Sequence, residues 1–298
     1  YMPIDHDSRL INHEELLSFC RKVFECAGVP GDDADNIARA VTEADLRDVS
    51  SHGVNLLAYY YSRLVGGGIN PTPTLTVLKD TPCIALIDGD NGIGHVAGVR
   101  AMRMAIEKAR SSGLAVVGVR NTNHYGMAAY YAMTALPFDM IGFTTCNTHS
   151  SIAPWGGTTP LVGNDPIGVA IPAEGRPPIV LDMAMSVVAF AKIKLAMRRG
   201  ERIPLDWALT PEGKPTDRPE EAWPEGSLMP IGGYKGFGLA VVMETLAGVL
   251  TGATYGGDLP LATLPHHSEH IGHFFAVLDV GAFLPAEIAK KRVADYLG

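Results

Sequence analysis

Cysteine is scarce in this chain: Cys20, Cys26, Cys83 and Cys146 are the four thiols among 298 residues. They form no C-x-x-C pair and lack the density of a disulfide framework. That excludes a thiol-stapled secreted scaffold and leaves them as small hydrophobes in a reducing cytoplasm. Clustered positive charge is missing as well. Lysine and arginine number 24 against 32 acidic residues, for a net charge of -8, and no basic run is longer than the three of Lys290-Lys291-Arg292. The electrostatic footprint of a nucleic-acid binder is therefore absent. Long apolar runs are missing too, since the best candidate, Gly238 to Val249, is broken by Glu244 and too short to span a bilayer. Tyr1 to Asp7 lack the basic-then-apolar order of a secretory signal. No nucleic-acid or membrane partner is expected, and the cytoplasm is the expected location.

With 47% apolar residues the chain can bury a large core, as one domain or two. The opening reads as helical. Asn12 with Glu15 forms a capping-box-like start for a helix over 14–27, and further helices are expected over 33–47 and 56–65, where Gly66-Gly67-Gly68 stops the last. From Thr74 the apolar period shortens to two. Strands are predicted over 75–78, 83–87, 114–119, 140–145, 167–171, 179–182 and 274–278. Helices are predicted over 96–110, 127–136, 187–198, 237–250 and 285–296. This divides the chain into a helical unit over 1–73, with the C-terminal helix of 285–298 packing on it, and an α/β body over 74–284. The Pro-, Glu- and Gly-rich stretch 200–230 reads as an excursion from the core.

Two histidines stand in glycine-flanked turns, Ser51-His52-Gly53 and Asn123-His124-Tyr125-Gly126, each where a scaffold element gives way to a loop. Imidazole suits proton transfer near neutral pH, so the pair points to an enzyme. Three other stretches resemble motifs without satisfying them. Gly92-Ile93-Gly94 to Gly98 spaces its glycines one residue too long for a dinucleotide loop. Gly232-Gly233-Tyr234-Lys235-Gly236 is no Walker motif, although a lysine at a helix start can meet a phosphate. His266, His267, His270 and His273 could surround a metal only on a continuous helix, which Gly272 interrupts. No metal site is expected. Polar loops at Asn147-Thr148-His149, Asn164-Asp165 and Asp182-Met183-Ala184, with Lys192 beyond, have the composition of a polar ligand site.

Taken together, Asp45-Leu46-Arg47-Asp48-Val49-Ser50-Ser51-His52-Gly53, Asn123-His124-Tyr125-Gly126, Pro154-Trp155-Gly156-Gly157, Asp182-Met183-Ala184 and Gly233-Tyr234-Lys235-Gly236-Phe237-Gly238 resemble, in order and spacing, the type II malate/L-lactate dehydrogenase family. Its members include ureidoglycolate and sulfolactate dehydrogenases, diketogulonate reductase and cyclic imino-acid reductases. The resemblance implies a non-Rossmann, sulfolactate dehydrogenase-like α/β fold with a central mixed sheet and flanking helices. It also implies NAD- or NADP-dependent hydride transfer on a small 2-oxo or 2-hydroxy acid, and a homodimer.

By the same resemblance His52 is the proton donor with Ser51 as relay, while His124 with Tyr125 and Gly126 sits at the nicotinamide. His124 is itself the acid in some members, and the choice between the two stays open. Thr148, Asp182, Met183, Ala184 and Lys235 match cofactor positions and Asn164 a substrate position. Lys192 matches a position that is aspartate in the imine reductases. Leu56 stands where many members carry an arginine, which makes Arg47 the nearest alternative fork for a carboxylate. The chain also stops soon after Pro285, short of the further C-terminal segment usual in the family. Two other readings are reduction of a cyclic imine, and a non-enzymatic metal or ligand binder built on the 266–273 histidines.

Overall fold

A computed structural model describes residues 10–260 and 264–298; residues 1–7, read above for a signal, lie outside it. The helical opening comprises α1 (His13–Cys26), α2 (Gly31–Leu46) and α3 (Leu57–Val65). Asn12 caps α1 by accepting from the N–H of Glu14 at 2.8 Å, so the expected start is the observed one. Cys20 and Phe24 of α1, Ile37, Ala38 and Val41 of α2, and Tyr60 and Leu64 of α3 close on one another. Ile93 and Val96, from the α/β body, complete that core.

The body follows as β1 (Thr76–Asp80), β2 (Ile84–Gly92), α4 (Gly94–Ser112), β3 (Leu114–Thr122), α5 (Ala128–Met133), β4 (Met140–Cys146), β5 (Ile167–Ile171) and β6 (Ile179–Met183). After these come α6 (Phe190–Arg199), β7 (Ala208–Leu209), α7 (Pro219–Ala222), β8 (Ser227–Leu228), α8 (Tyr234–Glu244), β9 (Ile271–Asp279) and α9 (Ala286–Tyr296). Seven strands form one sheet in the order β1-β2-β3-β9-β4-β5-β6. Only β2 and β3 pair in parallel, across the α4 crossover; every other pairing is antiparallel. The sheet is thus mixed and not doubly wound. Late-arriving β9 fills the gap between β3 and β4, which draws the segment before it to the C-terminal end of β3.

The glycine string at the start of α4 serves packing. A Cβ on Gly94 would lie 2.0 Å from the carbonyl oxygen of Asn123, so the close approach of two backbones, not a phosphate, demands glycine there. Three sequence expectations shift. The 200–230 stretch contains the short β7–β8 pair, joined to Ile152 by a bridge from Leu228. The helix expected over 237–250 starts earlier, at Tyr234, and turns into a π-helical segment at Thr245–Val249. Helix α9 also docks away from the N-terminal helices. It leaves the end of β9 that pairs with the start of β4, opposite the end that meets the helical unit, and Lys290 bridges Asp139 at 2.9 Å and Glu174 at 3.4 Å.

Candidate active site

The two histidine turns meet. His52 ends the first of two 3-10 turns (Ser50–His52 and Val54–Leu56) between α2 and α3, and His124 follows β3; their rings stack with centroids 5.4 Å apart and planes 18° from parallel. Asp45 shapes the first turn. Its Oδ2 accepts from the N–H of Val54 at 2.8 Å, and a Cβ on Gly53 would fall 2.0 Å from its Oδ1, so only glycine fits beside the carboxylate. Ser51 Oγ lies 3.0 Å from His52 Nδ1, the contact a relay requires.

Beneath His124 lies a polar network that the sequence did not announce. Tyr60 Oη is 2.6 Å from His124 Nδ1, and the His124 backbone N–H donates to Glu269 Oε2 at 2.5 Å. Arg63, 1% exposed, pairs with Glu269 Oε1 at 2.9 Å and donates to Asn123 Oδ1 at 3.0 Å and to the His267 carbonyl at 2.6 Å. Tyr59 Oη donates to the same Glu269 oxygen at 2.6 Å. A buried guanidinium survives only when paired and hydrogen-bonded, and here it is both. The network ties α3, the end of β3 and the segment before β9 into one platform for His124.

Burial holds both imidazoles below the usual histidine range. For His52 the neighbouring His124 adds to the shift; for His124 the nearby Glu269 opposes it and Arg63 reinforces it. Stacked at this separation, two imidazolium rings would repel, which disfavours positive charge on both at once.

Around the histidines the surface forms two adjoining chambers. One, of about 420 Å³, is lined by Ser51, His52, His124, Tyr125, Gly126, Thr148, Asn164, Asp182, Met183, Ala184 and Lys192, among others. The other, of about 530 Å³, is lined by Leu56, Tyr59, His149, Lys194, Trp223, Pro260, Glu269 and Ile271. His124, Thr148 and Asn164 face both, so they stand where the chambers join. In the first chamber Asp182 is anchored through Oδ2 by the N–H of Ala129 at 3.1 Å, and Ser186 Oγ is buried without a partner.

At the junction, Thr148 donates from its hydroxyl to Asn164 Oδ1 at 2.8 Å and from its backbone N–H to Asp165 Oδ1 at 2.9 Å. Asp165 lies in the core against Glu244, which accepts from Asn147 Nδ2 at 3.0 Å and from the N–H of Gly256 at 2.9 Å. Asp165 Oδ2 and Glu244 Oε2 each lack a donor. Burial and the Glu244 carboxylate push the Asp165 carboxyl well above its usual range.

Two expected residues stand outside both chambers. Arg47 is exposed at the end of α2 and pairs with Glu43 one turn back at 2.7 Å, because helical spacing aims it along the helix and away from the cleft. Lys235 is exposed on the first turn of α8, after Ile231, which does line the first chamber. The four late histidines do not converge. His273 is buried in β9 against Tyr125, His270 meets Asn121 at 3.2 Å, and His266 and His267 pack ring to ring.

Comparison with known proteins gives the following. The model of the malate/L-lactate dehydrogenase family matches residues 11–298. Malate dehydrogenase of Pyrococcus abyssi is 38% identical over 301 residues, covering 99% of this chain and 82% of its own length. L-sulfolactate dehydrogenase of Methanothermobacter thermautotrophicus is 37% identical over 287 residues, covering 96% of this chain and 84% of its own. The solved structure of sulfolactate dehydrogenase from Methanocaldococcus jannaschii superposes with a TM-score of 0.91 at 37% identity, over 97% of this chain and 83% of that one.

Proposed function

The chain belongs to the malate/L-lactate dehydrogenase family, and on that premise we propose that it moves hydride between a nicotinamide cofactor and C2 of a small 2-oxo or 2-hydroxy acid. The observation that carries this reading is the position of His124, at the junction of two chambers and stacked on His52.

The first chamber suits the cofactor. The unpartnered Ser186 hydroxyl, the free oxygen of Asp182 and the small residues Gly126, Ala128 and Ala184 leave polar groups and room along one wall. When bound there, a nicotinamide supplies or accepts the hydride. The protein's own part is proton transfer. During oxidation His124 Nε2 takes the hydroxyl proton of the substrate; during reduction the imidazolium returns it to the carbonyl oxygen. Tyr60, in contact with Nδ1, fixes the orientation of the ring. Ser51 and His52 lie behind His124 as a relay, and Lys192 adds positive charge to the same chamber. Asn164 and Thr148 orient the substrate at the junction, and the Arg63–Glu269 pair fixes the platform. Lys235, exposed on the first turn of α8 beyond Ile231, is the lysine that would meet the cofactor phosphates where they leave the first chamber.

A screen of 2-hydroxy acids with NAD and with NADP, followed by nicotinamide absorbance, tests this reading. Substrate-dependent reduction of one cofactor supports it. Inertness toward every 2-hydroxy acid with both cofactors, for protein that binds them, sinks it.

A further inference from the structure

The second chamber contains a cation that neither the motifs nor the cofactor account for. Lys194, on α6, is half-buried in the chamber wall, with its ammonium 3.7 Å from the centre of the Trp223 ring. It is the only lysine or arginine among the described residues lining this chamber. Among the described residues no carboxylate pairs with it, and burial and the neighbouring Arg198 hold its pKa below the usual lysine range. The one acid among the described residues lining the chamber, Glu269, is already paired with Arg63. Leu56, Trp223, Pro260 and Ile271 form an apolar part of the wall, and Tyr59, His124, Thr148, His149 and Asn164 a polar part. Leu56 occupies this wall, and Arg47 turns away.

We propose that Lys194 binds the substrate carboxylate, and that the substrate is a 2-oxo monocarboxylate with an apolar side chain packed between Leu56, Trp223 and Ile271. The assignment rests on the dehydrogenase reading above and specifies its substrate. A single uncompensated cation matches a single carboxylate. A half-buried ammonium over an indole face gains from both the ring and the incoming anion. Malate and sulfolactate each carry a second anionic group, which would meet Glu269 and find no second lysine or arginine among the described lining residues, a like-charge and desolvation cost. A chamber of about 530 Å³ also has room for a branched aliphatic or aromatic substituent.

Steady-state reduction kinetics on the full chain test this with three compounds: 4-methyl-2-oxopentanoate, its methyl ester, and oxaloacetate. The wild type is expected to favour 4-methyl-2-oxopentanoate over both others by at least about 10-fold in kcat/KM. Lys194→Met keeps the aliphatic stem against Trp223 and should bring the acid-to-ester ratio close to one, mainly through KM for the acid, with the cofactor's KM unchanged. Lys194→Arg should retain the preference for the acid, which separates loss of charge from loss of folding. An acid-to-ester ratio unchanged in Lys194→Met removes Lys194 from the site. Oxaloacetate preferred over 4-methyl-2-oxopentanoate overturns the apolar substrate class while leaving the dehydrogenase reading intact. No turnover of either 2-oxo acid with either cofactor overturns that reading, and this one with it.

Discussion

The hydroxyl of Tyr60 lies 2.6 Å from His124 Nδ1, on the side of the imidazole away from the cleft. A base whose second nitrogen is anchored keeps one orientation, so removing the anchor costs turnover more than binding. Tyr60→Phe should lower kcat about 10-fold, or about 1.4 kcal/mol, with little change in the cofactor's KM. Unaltered kcat in this variant would show that the hydrogen bond does not orient the base.

The carboxyl pair of Asp165 and Glu244 makes a prediction about stability. Asp165 has its pKa raised in the fold, so the unfolded chain ionises first, and the stabilisation present at low pH is lost as pH rises past the ordinary value of 3.8 toward the raised one. Asp165→Asn still accepts from Thr148 and has no carboxyl to ionise beside Glu244. It should raise Tm, and by more at pH 8 than at pH 5, with a gain of about 1–2 kcal/mol. A lower Tm across that range in thermal melts would contradict a raised Asp165 carboxyl.

His95 and His273 are fully buried, with no hydrogen-bond partner on either ring nitrogen. Burial lowers both, His273 to about 3 from 6.5 and His95 well below that ordinary value. For a histidine with a depressed folded pKa the stabilisation is complete above the unfolded value and is lost as pH falls toward the folded one. Denaturant titrations should therefore show stability dropping between pH 6.5 and 4, by up to about 1.4 kcal/mol per pH unit per histidine. Flat stability over that interval would mean these rings are protonated in the fold.

Helix α8 buries Ala240 and Met243 yet exposes Leu239 and Val242, and the following turn exposes Val249 and Leu250. An apolar face of this kind fits a second copy of the chain. Val242→Glu should convert a dimer into a monomer by light scattering at micromolar concentration. A wild-type monomer would remove the face from any such role.

Much of this architecture was legible in the sequence, and what was not has a definite cause. The apolar periods located α1 to α4 and most strands because each element buries its own face, and the capping by Asn12 is a contact between neighbours. The turns holding His52 and His124 could be read for the same local reason. Arg63 and Glu269 could not, because they are paired through the insertion of β9 and meet across a separation that no periodicity spans; Tyr59 and Glu269 are 210 positions apart. The one local signal was a charged residue, Arg63, on the buried side of an apolar helix. Arg47 misled for the opposite reason. Its place near the histidine motif was right for a carboxylate fork, but the i,i+4 geometry of α2 gave it to Glu43. Helix α9 misled because the direction of β9, which decides where the chain emerges, follows from the sheet order rather than from any run of residues.

The central claim is that His124, not His52, exchanges the proton with substrate. The pH dependence of kcat/KM for 2-hydroxy-acid oxidation tests it, measured in parallel for wild type, His52→Ala and His124→Ala. Oxidation needs a neutral ring and so rises with pH through the pKa of the base, whereas reduction needs imidazolium and falls. Because burial lowers the His124 pKa, the oxidation limb should lie below the ordinary histidine value. His124→Ala should lose the limb and at least about 10²-fold in kcat, while His52→Ala keeps the limb at reduced turnover. A limb that survives in His124→Ala and vanishes in His52→Ala would contradict the account and transfer the role to His52.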